Sequence, residues 1–160
     1  TEWLTADLDA ATKNRSKVPW IVTVNHHAAF SSSNHGDDAD VLRGRAYFVP
    51  IWDKYHVDLA LAGHDHNYER TKPLTGPAAT PTIHATPKDG TVYVVCAGSG
   101  SDGYSPGNTA VTELSRGYDS VTVLGFYGIL TATQNTLKLE AHELRPDASD
   151  PIFDTLTITK

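Results

Sequence analysis

Four of the eight histidines stand directly behind two apolar runs. His26 and His27 close the first, and His64 and His66 follow the second. Imidazole is the commonest neutral ligand for zinc, iron and manganese, and a neutral ligand leaves the ion most of its Lewis acidity. One residue separates His64 from His66. In extended backbone, side chains at i and i+2 project to the same side. Both rings could then face one ion or two adjacent ions, with Gly63 allowing the tight turn that places them. Three imidazoles alone are similar to a single-zinc centre with water in the fourth position. Imidazoles mixed with carboxylates from elsewhere could instead hold two ions about 3.5–4 Å apart, a spacing suited to phosphoryl transfer. A lone histidine is ordinarily a surface or hydrogen-bonded core residue, so it is the grouping behind two strands that points to metal. His56, His84 and His142 lack that setting and read as ordinary residues.

The segments around these histidines must position them. Residues 3–14 read as an amphipathic helix, with Leu4, Leu8 and Ala11 on one face. Residues 20–24 are nearly continuous apolar and β-branched, which predicts a strand buried on both faces. A second helix is expected between residues 41 and 55, where Phe48, Trp52 and Tyr55 recur at helical spacing; Pro50 suggests that it starts there. Residues 57–62 predict another strand, with Gly63-His64-Asp65-His66 following at once. Alternating helix and strand favour an α/β layer around a central sheet, and ligands of such sheets bind at the C-terminal ends of the strands. After Arg70, prolines and glycines mark an irregular stretch. Further strands are expected at 91–96, 120–127, 137–144 and 153–159, forming mostly antiparallel sheet.

Composition narrows the partners. The 160 residues suit one domain, with 39% hydrophobic and 20% charged residues. A formal charge of −6 argues against nucleic acid held through its phosphates, and no apolar run approaches a membrane span. An anionic substrate would therefore need local positive charge from a metal ion or a histidine. The single Cys96 leaves no internal disulfide and reads as a buried strand thiol. Gly98-Ser99-Gly100-Ser101 lacks the Lys-Ser/Thr of a phosphate loop and reads as a turn. With no Met and Thr at position 1, the sequence is expected to be a processed or truncated piece of a longer chain.

The motif from Gly63 to Arg70, Gly-His-Asp-His-Asn-Tyr-Glu-Arg, resembles the calcineurin-like metallophosphoesterases, and its Tyr-Glu-Arg extension resembles their purple acid phosphatase branch. Residues 24–32 are similar to the family strand that ends in a ligand histidine, and His35-Gly36 matches a further family position. The resemblance runs along nearly the whole chain. It implies an α/β fold, the C-terminal half of a four-layer α/β/β/α metallophosphoesterase sandwich, with residues 1–160 the C-terminal part of one such domain.

The resemblance also implies the site. His26 and His64 would bind the divalent ion of a pair, Fe with Zn, Mn or Fe. His66 would bind the other ion, and His35 would contact the phosphate or protonate the leaving oxygen. His27 would stand behind the ligands at best, and Glu69 and Arg70 would form a structural pair. The implied activity is acid-phosphatase-type hydrolysis of a phosphate monoester outside the cytoplasm, in an extracellular or periplasmic setting. Ala28 and Ala29 replace the family's usual proline after the ligand histidine. The family's Asp, Gly-Asp and Gly-Asn-His motifs have no counterpart in these residues, so the bridging carboxylate is expected from an N-terminal half of the same protein. Neutral imidazoles alone cannot offset two adjacent cations, so the segment alone is expected to be inactive. Two other classes stay open: a single-zinc hydrolase using His26, His64 and His66, and a non-catalytic ligand-binding module.

Overall fold

The computed structural model describes residues 1–98 and 100–160. Ser99, within the turn expected at 98–101, lies outside the described residues. Helix α1 (Glu2–Lys13) carries Glu2 in its first turn and Lys13 in its last, as the helix dipole favours. Its apolar face is the expected one: Leu8 is buried, and Leu4 and Ala11 pack beside it. Strand β1 (Val22–His27), helix α2 (Ala39–Lys54) and strand β2 (Leu59–Gly63) follow as a βαβ unit with parallel strands. The rest is almost all strand: β3 (Tyr68–Thr71), the short pair β4 (Leu74–Thr75) and β5 (Thr82–Ile83), β6 (Val92–Cys96), β7 (Thr112–Arg116), β8 (Gly125–Ala132), β9 (Thr136–Leu144) and β10 (Ile152–Thr159).

These strands make two main sheets. The first runs β1-β2-β6-β3-β7, with β1, β2 and β6 parallel and β3 and β7 antiparallel. The second is the antiparallel sheet β10-β9-β8. Alternation along β6 divides the core. Val92 and Val94 face the second sheet and meet Phe126, Leu137, Leu139, Leu156 and Ile158. Tyr93, between them, faces the helices and meets Leu8, Val49 and Trp52. Full burial of each such side chain is worth roughly 1.5–3 kcal/mol. The order is helices, mixed sheet, antiparallel sheet, the α/β/β run of the expected sandwich. Both α-helices among the described residues lie on the same side.

Some local expectations change. Residues 20–24 were read as a strand buried on both faces, but pairing starts at Val22, and Val24 is 78% exposed. The reason is position: β1 is an edge strand with one neighbour. Helix α2 does not start at Pro50 but passes through it. Pro50 and Ala46, four residues earlier, both face solvent, so water can serve the carbonyl that proline leaves without a donor. In the segment 120–127, the Asp119 carboxylate accepts N–H bonds from Val121 and Thr122, holding a turn, and the strand begins at Gly125. Strands β3 and β7 were not anticipated, because Tyr-Glu-Arg-Thr and Thr-Glu-Leu-Ser-Arg show no apolar alternation. Cys96 ends β6 half-buried, and burial pushes its thiol up to about 11. No helix among the described residues is long and apolar enough to cross a membrane.

Candidate metal centre

The parallel strands β1 and β2 end side by side, and the histidines gather there. Regular pairing holds from Val22 with Leu59 to Asn25 with Ala62; then His27 pairs with Gly63, which leaves His26 as an extra residue. Such a bulge re-aims side chains that strict alternation would send to opposite faces. The rings of His26 and His27 have centroids 5.1 Å apart, and both lie against His64, at 4.9 and 4.4 Å. His26 Nε2 and His64 Nδ1 are 3.1 Å apart. One nitrogen from each of His26, His27 and His64 falls within a 4.8 Å span.

Gly63 closes β2, and His64, Asp65 and His66 after it form a bend and not a strand. His64 itself adopts φ +70°, and the bend closes through Asp65 N–H to Gly63 O and Asn67 N–H to Asp65 O, each 2.9 Å. The turn therefore falls at His64 and not at Gly63, and the i, i+2 relation of extended chain does not apply. The two rings consequently part. His64 turns to His26, whereas His66 stacks on Tyr104 with centroids 4.6 Å apart and planes 12° apart. The His66 Nδ1 lies 2.9 Å from the Asp102 carbonyl. A carbonyl only accepts, so Nδ1 carries the proton and Nε2 keeps the lone pair. Burial, reinforced by His27, His35 and His26, holds His64 below the usual imidazole range and favours its neutral form.

The loop after β1 is pinned from below. Asp65 is 2% exposed; its carboxylate accepts from Ser31 Oγ at 2.6 Å and from His35 N–H at 3.0 Å. Buried Glu69 accepts from Ser32 N–H at 2.8 Å, and from the hydroxyls of Ser32 and Thr112 at 3.0 Å. A Cβ on Gly36 would lie 2.3 Å from the Ser31 carbonyl oxygen, so only glycine fits this close approach. Held this way, the His35 ring sits 4.6 Å from His64 and 5.6 Å from Tyr104. The Asp38 carboxylate, 2.8 Å from His35 Nδ1, raises the His35 pKa above the usual imidazole value. His35, Asp38 and His64 form a second group with ligand atoms within 4.8 Å. Glu69 and Arg70 are not a pair. As neighbours on β3 they point to opposite faces, and Arg70 reaches Asp154 on β10 instead.

Several contributors escaped the sequence reading. The resemblance places His27 behind the ligands at best, because the family varies in kind at that position, whereas the structure sets its ring against His64. Asp38 and Asp40 belong to an acidic run at the start of α2, where carboxylates are common for dipole reasons alone. Tyr104 and Asp102 lie 38 and 36 residues beyond His66, and no local spacing links them. They also line a cleft of about 830 Å³ together with His66, Ser101, Leu124 and Leu144.

Imidazole nitrogens converge where the parallel strands of an α/β sheet end, in groups that could hold a metal ion. The family model described as Calcineurin-like phosphoesterase matches residues 2–68. The solved structure of purple acid phosphatase PPD1 from yellow lupin superposes with a TM-score of 0.73 at 26% identity, covering 99% of this chain and 28% of that one. An Arabidopsis thaliana protein named probable inactive purple acid phosphatase 1 is 31% identical over 160 residues, covering 94% of this chain and 25% of its own length. A Hordeum vulgare nucleotide pyrophosphatase/phosphodiesterase is 31% identical over 157 residues, covering 92% of this chain and 40% of its own length. The chain belongs to the calcineurin-like phosphoesterases, in their purple acid phosphatase-like branch. It spans less than half the length of these relatives.

Proposed function

We propose that the protein is a metal-dependent phosphoesterase that hydrolyses phosphate monoesters at a dinuclear centre. The observation that carries this reading is the 3.1 Å approach of His26 Nε2 to His64 Nδ1. Two ring nitrogens this close, which share a proton in the free protein, suit a shared cation in its place. Such ions, Fe with Zn, Mn or Fe, would neutralise phosphate charge and make water a better nucleophile. His26 and His64 would hold one ion, and Nε2 of His66 would hold the other. His35, whose pKa the hydrogen bond to Asp38 raises, would contact the phosphate and give its proton to the departing alkoxide oxygen. Asp65 would keep His35 at its post through the backbone bond.

The first histidine group contains no carboxylate among the described residues, and the relatives are longer than this chain. We infer that bridging carboxylates come from an N-terminal segment of the same protein, in an extracellular or periplasmic setting. The single-zinc alternative with His26, His64 and His66 has less support, since the His66 ring turns to Tyr104. One relative is named probable inactive, so catalysis itself is the quantity to measure. The test is hydrolysis of p-nitrophenyl phosphate by the metal-loaded chain, with and without the N-terminal segment. Activity is expected only with the segment, and His26→Ala or His66→Ala should abolish it. His35→Ala should lower kcat by about 10²-fold, the usual worth of a general acid. Full activity from the chain alone would sink the half-site reading, and none from the complemented protein would sink the phosphatase reading.

A further inference from the structure

We propose that His27 is a third nitrogen ligand, so that His26, His27 and His64 form a site for one divalent transition-metal ion, with the Asp40 carboxylate behind His27. The proposal rests on the reading that His26 and His64 share an ion. Geometry carries it. The bulge in β1 puts two consecutive imidazoles on the same side, and nitrogens from all three rings lie within 4.8 Å. His27 is closer to His64, ring to ring, than His26 is. Its Nε2 stands 3.3 Å from Asp40 Oδ2. A carboxylate on one imidazole nitrogen fixes the tautomer and raises the basicity of the other, an arrangement common behind ligand histidines.

The electrostatics agree with one ion and not two. Three neutral imidazoles accept a single dication without the repulsion that a second would bring. Zinc and cobalt suit three nitrogens with water in a fourth place. The competing arrangement is the neighbouring group of His35, Asp38 and His64, and it makes opposite predictions for the same variants.

The experiment is a Zn²⁺ titration of the chain by competition with a chromophoric chelator, alongside Co²⁺ absorption as a report on coordination. One Zn²⁺ per chain is expected. His27→Ala and His26→Ala should each weaken binding by about 100-fold or more, and Asp40→Asn by roughly 10-fold, in the range seen for groups behind a metal ligand. The intense visible Co²⁺ bands of a four-coordinate site should fade in His27→Ala. Thermal melts of the metal-free variants, with His27→Gln as the milder change, separate a ligand effect from misfolding. Zn²⁺ affinity unchanged in His27→Ala but lost in His26→Ala would overturn the role of His27 and leave the shared ion intact. Loss in Asp38→Asn with none in His27→Ala would move the site to the competing group. Unchanged affinity in His26→Ala would sink the shared-ion reading itself, and this inference with it.

Discussion

The buried carboxylate of Asp65 holds the loop that carries His35. It satisfies Ser31 Oγ and the His35 amide together, and with them it sets where the His35 ring stands. In Asp65→Ala both donors lose their partner inside a covered loop. The expected cost is about 2 kcal/mol, since each unpaired buried group costs about 1–3 kcal/mol and some relief by water follows. Urea unfolding should read that loss, and the amides of residues 31–35 should exchange faster in the native state. An unchanged midpoint would mean that the loop does not depend on Asp65. At this scale the sequence was legible where histidines recur behind apolar strands, as with His26 and His64, whose rings the fold brings together. It was not legible for His27, whose direction depends on a one-residue shift in pairing that no spacing rule encodes. The role of Asp65 has no local signal either, since its partners lie 30 and 34 residues away.

Between elements, the two sheets are joined by a polar clamp. Asp154 on β10 accepts from the Tyr68 hydroxyl at 2.6 Å and from Arg70 at 2.7 and 2.9 Å, both on β3. Burial alone would raise the Asp154 carboxyl, but the bonds from Arg70 and Tyr68 outweigh it and hold the pKa below the usual carboxylate value. Asp154→Asn leaves a mostly buried guanidinium without its counter-charge and should cost about 3 kcal/mol, the lower end for breaking such a pair. The sign of the pH effect follows from a depressed carboxyl. Its stabilising contribution is present above the unfolded-state value, about 3.9, and is lost as pH falls through the lower folded-state value. The wild-type chain should therefore lose stability on that acid limb, and Asp154→Asn should lack this part of the loss; superimposable acid limbs would refute it. Strand β3 was hidden in the sequence because its residues serve this clamp and the loop beneath the histidines, not an apolar face.

For the molecule as a whole, the exposed strand edges matter most. Strand β1 has one neighbour and presents Val24 at 78% exposure, while β8, the edge of the second sheet, presents Ile129 and Leu130 at 46% and 38%. Apolar side chains beside unpaired backbone donors and acceptors invite further strands to add. The isolated chain is expected to self-associate at tens of micromolar in sedimentation velocity, roughly the range where such edges cause trouble. Val24→Lys should shift the distribution toward monomer, because a charged edge resists pairing. A wild-type monomer at all accessible concentrations would contradict this. The α/β order of the front half and the antiparallel back half were readable from periodicity. The division of the core by the first sheet was not, since β6 alternates between two packed faces and reads as an unbroken apolar run.

The left-handed backbone at His64 separates two demands that usually travel together. That conformation costs an ordinary side chain roughly 1–2 kcal/mol, and Asn is among the few residues that tolerate it. Replacing His64 by Asn would thus erase the imidazole while sparing the bend, whereas Val would confuse lost chemistry with a strained chain. On the proposed function, position 64 is consequently where the protein would be disarmed without being unfolded, and where a catalytically silent descendant would arise by a single exchange and keep its shape.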